Sequence, residues 1–194
     1  FFSKKSASRK QSACVSHGLS ASYSRSARSA TPSTRSRSRW SASAAHGTAT
    51  VLQWMANDAS GGVRRGAIDD APACAYRGLL VDVARQPHPI GVLRQLVDLC
   101  RFYKVRYLQL HLTDDQAFTF PSTAFPKLAT PGHSYTLAEL RELEDHAVAR
   151  GVTIVPELDV PGHCGAMIAA MPELFRASLK HHATICFAKP DVLA

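Results

Sequence analysis

Three short apolar runs in this chain each end in ionisable side chains. Arg77–Val83 (RGLLVDV) holds Asp82 and is followed by Arg85. Val105–Leu112 (VRYLQLHL) closes on His111 and runs into Thr113, Asp114, Asp115 and Gln116, and Val152–Leu158 (VTIVPEL) closes on Glu157 and runs into Asp159 and His163. Carboxylates and imidazoles placed together can exchange protons or brace one another, and an arginine beside them donates several hydrogen bonds from a fixed fork. The same His111, Asp114, Asp159 and His163 also form a donor set of nitrogen and oxygen atoms that zinc or a related ion accepts, so a metal-dependent hydrolase is one reading. Asp82 and Glu157, lying inside their runs, read equally as structural partners of buried groups, and His111 as a satisfied core imidazole.

The elements that position these residues follow from periodicity. The three runs are apolar and strand-sized, the first partly β-branched, and they predict three strands. Between the first two, Ile90, Leu93, Val97 and Cys100 recur at helical spacing after Pro89, so a helix is predicted over Ile90–Tyr103. Between the second and third, Thr136 and Glu139 form a capping box ahead of Leu137, Leu140, Leu143 and Ala147, and Gly151 ends the helix they begin. A β-α-β-α-β order predicts an α/β fold with parallel strands. In such folds functional side chains collect at the carboxyl ends of strands, where all three clusters stand. The Pro161-Gly162 turn is expected to aim His163 back toward that rim, and the loop holding Phe118, Phe120 and Phe125 to pack over it. His133, His146, His181 and His182 are expected to face solvent or loops.

The chain has 194 residues and a formal charge of +8, but the charge is uneven. Residues 1–47 carry nine basic residues, no acidic ones and fifteen serines, leaving 14 basic against 15 acidic residues in the remainder. The folded part is therefore close to neutral, and nucleic acid is not expected as its partner. The Ser/Arg-rich stretch has little to bury and is expected to be disordered, resembling a transit peptide or a short RNA-binding segment; residues 48–66 are expected to be a linker or the end of a preceding module. No run reaches the roughly 18 apolar residues of a membrane span. The five cysteines are widely spaced and lack a CxxC pair, so small buried hydrophobes are expected rather than a disulfide framework or zinc finger.

RGLLVDVAR (Arg77–Arg85), HLTDDQAF (His111–Phe118), SYTLAELRELEDHAVARGVTIVPELDVPGH (Ser134–His163) and AMPELF (Ala170–Phe175) together resemble the catalytic barrel of glycoside hydrolase family 20, the β-N-acetylhexosaminidases. IDDAPACAYRG (Ile68–Gly78) is similar to that family's entry into its first strand. The resemblance covers about residues 66–192 and implies a TIM barrel acting on glycans that end in N-acetylhexosamine, without metal or other cofactor. It implies that Arg85 matches the arginine holding the hydroxyls of the terminal amino sugar. Asp114 matches the aspartate supporting the acetamido-orienting catalytic Asp, and Asp159 and His163 match the pair that hydrogen-bonds toward the general acid. Arg85, Asp114 and His163 thus fall on the substrate side, with Asp114, Asp159 and His163 in support of catalysis. In that family the substrate's own 2-acetamido oxygen attacks the anomeric carbon, an exception to the two-carboxylate scheme.

The chain also departs from the family. The adjacent catalytic Asp-Glu pair at the end of the fourth strand has no counterpart in these 194 residues, and Gln109-Leu110 stands where many members have His-Trp. A complete barrel takes about 250 residues. Residues 67–194 are therefore expected to form an incomplete barrel of about three βα units, a fragment inactive by itself, as a first residue of Phe1 also hints. A noncatalytic carbohydrate-binding or interaction fragment is the alternative to an enzyme.

Overall fold

The computed structural model describes residues 34–60, 62, 65–178, 181–185 and 192. In chain order it contains α1 (Thr34–Asn57), β1 (Gly78–Asp82), α2 (Ile90–Phe102), β2 (Tyr107–His111), a 3-10 turn (Pro126–Leu128), α3 (Leu137–Val148), β3 (Thr153–Glu157), α4 (Gly165–Ala170), α5 (Pro172–Phe175), β4 (Arg176–Ser178) and β5 (His181–Ile185). The predicted α/β alternation is present: β1, β2 and β3 form one parallel sheet in that order.

Side chains alternate across a strand, so the register sorts them by face. Leu108 and Leu110 of β2, with Val81 and Ile154 beside them, point toward the helices and pack with Leu93, Val97 and Cys100 of α2 and Leu143 and Ala147 of α3. The other face carries the row Leu80, Gln109, Val155 and above it the row Asp82, His111, Glu157. Burying a Leu or Val side chain contributes about 1.5–3 kcal/mol, so the helix-facing layer is what fixes the direction of the second row.

The helix ends follow their sequence signals. Thr136 Oγ1 accepts from the Glu139 N–H at 3.1 Å, and Glu139 Oε2 accepts from the Thr136 N–H at 2.7 Å, which completes the capping box. Gly151 closes α3 at φ 72°, a left-handed conformation that a side chain would strain. A second cluster joins Phe118 and Leu128 of the long loop after β2 to Cys164, Ile168, Phe175 and Ile185, so α4, α5 and the β4–β5 hairpin close over that loop.

Several expectations change. The tail expected to be unfolded through residue 47 is helical from Thr34, and the stretch expected to be a linker or the end of a preceding module is helical as far as Asn57. Ala45 and Ala49, four residues apart, are buried, and Gln53 Nε2 donates to the Phe102 carbonyl at 2.6 Å, so packing on α2 outweighs the polar composition. The remainder of that tail, residues 1–33, lies outside the described residues. His146 does not face solvent: its ring is largely buried between α3 and α2, with Nε2 3.2 Å from Asp98 Oδ1. His133 is exposed as expected, and His181 and His182 belong to β5, their side chains outside the described residues. Phe118 and Phe120 pack inward while Phe125 is exposed. Cys100 and Cys164 are buried and Cys74 is exposed; Cys14 and Cys186 lie outside the described residues.

Candidate active site

The turn after β1 is built by Asp82. Its Oδ1 accepts the N–H groups of Ala84 at 3.0 Å and Arg85 at 2.9 Å, which folds the chain back so that Arg85 Nη1 reaches Asp82 Oδ2 at 2.7 Å. Burial pushes the Asp82 carboxyl upward, but these donors and the nearby His111 outweigh it, and the net shift is downward.

His111 ends β2 between two carboxylates. Nδ1 lies 2.9 Å from Glu157 Oε1 and Nε2 lies 2.8 Å from Asp114 Oδ2. Burial acts against the charged ring, yet the hydrogen bonds to Glu157 and Asp114 and the charges of Glu157 and Asp82 win, raising its pKa above the ordinary value. A ring that donates from both nitrogens is the imidazolium form. Glu157 is held low by the Gln109 amide, which donates at 2.5 Å, and then by His111.

Asp114 is the centre of the cluster and is only 1% exposed. Its Oδ1 accepts the Asp115 N–H at 2.6 Å and lies 3.3 Å from His163 Nδ1, and its Oδ2 lies 2.6 Å from Arg85 Nη2 as well as against His111. Burial raises this carboxyl, but the Asp115 amide, His111, Arg85 and His163 together pull it below the ordinary range.

The segment after β3 is tied to β2 by the Asp159 N–H, which donates to Thr113 Oγ1 at 3.0 Å. His163 then adopts φ 54°, a left-handed conformation uncommon outside glycine and one that clusters where a side chain must be aimed. Its Nδ1 lies 3.2 Å from Arg85 Nη2. Its Nε2 faces Asp159 Oδ2 at 3.9 Å. Gly165 N donates to Asp115 Oδ1 at 2.9 Å, which anchors the start of α4 to the same rim.

Arg85, Asp114, Asp159 and His163 are thus brought to one lip at the carboxyl end of the sheet. Arg85 and His163 are about half exposed, while Asp114 beneath them is buried. The lip presents a guanidinium and an imidazole outward on a carboxylate base, which suits hydrogen bonding to a neutral polyhydroxyl ligand. Ligand atoms of Asp114, Asp115 and His163 lie within 4.8 Å of one another, as do those of Asp82, His111 and Asp114 and of His111, Glu157 and Asp159. In this arrangement Arg85 already supplies a cation against Asp114, and both ring nitrogens of His111 face carboxylates. Gln109 and Thr113 were missed as positioning groups. Their signal lies in pairing register, which places Gln109 one row below His111.

The chain matches the model of the glycosyl hydrolase family 20 catalytic domain over residues 74–192. It is 38% identical over 145 residues to a beta-hexosaminidase of Akkermansia muciniphila, covering 68% of this chain and 27% of that protein. It is 35% identical over 106 residues to beta-hexosaminidase subunit beta of Mus musculus, covering 52% of this chain and 20% of that protein. Among solved structures it resembles a GH20 exo-β-N-acetylglucosaminidase of Vibrio harveyi in complex with N-acetylglucosamine, with TM-score 0.63, 29% identity, and coverage of 77% of this chain and 29% of the other. It also resembles a Flavobacterium johnsoniae chitobiase, with TM-score 0.64, 30% identity, and coverage of 76% and 24%. The chain spans about a quarter of the length of these relatives. With the family's model matched over most of the chain and the four rim residues side by side, this chain belongs to glycosyl hydrolase family 20.

Proposed function

We propose that this chain supplies the first three βα units of a TIM barrel that removes terminal N-acetylhexosamine from glycans by substrate-assisted, retaining catalysis. The observation that carries this reading is the convergence of Arg85, His163 and buried Asp114 at the carboxyl ends of parallel strands. In this reading Arg85 donates to the hydroxyls of the terminal sugar, with Asp82 and Asp114 holding its fork in place. Asp114 supports the carboxylate that orients the acetamido group. The His163–Asp159 pair hydrogen-bonds toward the general acid and tunes its proton affinity. The acetamido oxygen is the nucleophile, so the protein need only orient it, stabilise the oxazolinium and protonate the leaving oxygen.

The orienting Asp and the acid Glu are not among these 194 residues, and the chain by itself is expected to be without turnover. A chromogenic N-acetylglucosaminide tests both halves of the reading. The 194-residue chain should match its own His163→Ala variant, and turnover above that control would overturn the assignment of these residues as an incomplete site. In a protein that joins this segment to the remaining family barrel, Arg85→Ala should lower kcat/KM by about 10- to 100-fold, the worth of one hydrogen bond from a charged donor. An unchanged kcat/KM would remove Arg85 from the sugar site.

A further inference from the structure

At the opposite pole of the sheet, where the strands begin, lies a cleft of about 1020 Å³ between α1 and the segment leading into β1. Three cations line it. Arg77 immediately precedes β1, Arg106 immediately precedes β2, and Lys104 caps the turn after α2. Among the described residues, their only acidic neighbour on the cleft wall is Asp70, half exposed and 2.5 Å from Lys104 Nζ. His46 of α1 also lines the cleft, and burial, Arg77, Lys104 and Arg106 in turn hold its pKa below the ordinary value. The described residues thus place a cationic surplus around a ring kept neutral.

The cations are positioned rather than loose. Arg77 Nε donates to the Lys104 carbonyl at 2.9 Å and Nη1 to the Cys74 carbonyl at 2.8 Å, which orients the fork. Arg106 lies over the Tyr107 ring at 5.5 Å, and Tyr107 stacks on Tyr76 at 4.9 Å. Lys104 has φ 59°, at a helix terminus where glycine is the unstrained choice. The same cleft is also lined by Trp54, Ile68 and Tyr103, the last two at least half exposed.

A cleft lined by both cations and aromatic side chains suits an anion that carries an organic group. We propose that it binds an organic oxyanion ester of the phosphate or sulfate class, the oxyanion among Arg77, Lys104 and Arg106 and the organic part against Trp54. This site is independent of the sugar-binding rim and of the hexosaminidase reading.

The test is titration of the 194-residue chain with phenyl phosphate, phenyl sulfate and inorganic phosphate by calorimetry, with His46 followed by NMR. At least one ester should bind more tightly than inorganic phosphate, and the stronger of the two identifies the ester class. Saturation should move the His46 titration upward, because the oxyanion offsets the three cations. Arg106→Gln should weaken binding by about tenfold or more. Lys104→Gly relieves the backbone and should weaken binding at least about fivefold while the thermal midpoint stays level or rises, which separates binding from folding. Failure of both esters to bind at millimolar concentration, an unmoved His46, or parental affinity in either variant would overturn the proposal.

Discussion

Arg85 Nη2 lies 2.6 Å from Asp114 Oδ2, so one charged contact ties the turn after β1 to the turn after β2. The two partners are unequal: Arg85 is 47% exposed and Asp114 is 1% exposed. An exposed guanidinium that loses its carboxylate is taken up by water, whereas a buried carboxylate holds several donors that water cannot reach.

That asymmetry sets the first prediction. Asp114→Ala leaves His111 Nε2 and the Asp115 N–H without their acceptor and should destabilise the chain by about 1–3 kcal/mol. Arg85→Ala should cost less, because an exposed ion pair contributes little to stability. Urea unfolding of the two variants measures the difference, and equal losses would contradict the described burial.

A second prediction concerns the start of α4. A Cβ on Gly165 would meet Asp115 Cα, Cβ and Oδ1, all at 3.0 Å, and the first two cannot swing aside. Gly165→Ala should therefore destabilise by about 1–3 kcal/mol through overpacking. Gly91, with nothing within 4 Å of its added Cβ, is the control. Gly91→Ala lies in the first turn of α2 and should be neutral or slightly stabilising.

How far the sequence reached depended on what each signal measures. β1, β2 and β3 were legible because their apolar runs are short and bounded, and α3 because Thr136 and Glu139 stand three apart. The rim residues were legible because strand order alone puts them at one pole. The row Asp82, His111, Glu157 was harder, since it exists only once three strands pair in register. α1 was lost because Ser and Arg dominate its first ten residues, while its buried residues are two small alanines, Ala45 and Ala49. His146 was lost because a polar ring at a helix position gives no sign of the neighbouring helix that covers it.

The third prediction separates the cysteines. Burial pushes the Cys164 thiol up to about 11, with the Asp159 and Asp115 charges adding to it, and its Sγ lies 3.0 Å from the Gly162 carbonyl. Burial likewise raises Cys100. The thiolate is the reactive form, so at pH 8 a maleimide should label Cys74 in the folded chain and reach Cys100 and Cys164 only after denaturation. Peptide mass mapping reads this directly, and early labelling of Cys164 would show that the β4–β5 hairpin does not cover it.

The last prediction is the pH range in which the rim holds together. Asp82 and Asp114 fall below their ordinary 3.8 and Glu157 below its ordinary 4.5, so the folded state favours their charged forms. Their contribution is full above those ordinary values and is lost as pH falls through the lower, folded ones. His111 is raised above its ordinary 6.5, so its contribution is full below 6.5 and is lost as pH rises through the folded value. The cluster should therefore be most stable between 4.5 and 6.5 and weaken on both sides. His111→Gln keeps a polar ring-sized group but cannot carry the charge, so it should abolish the alkaline decline. It should also make the acid decline shallower, because the carboxylates lose the cation that holds them low. Urea midpoints from about pH 3 to pH 9 for the parent and His111→Gln give both edges. An alkaline decline that survives in the variant would mean that His111 is not the group that titrates there.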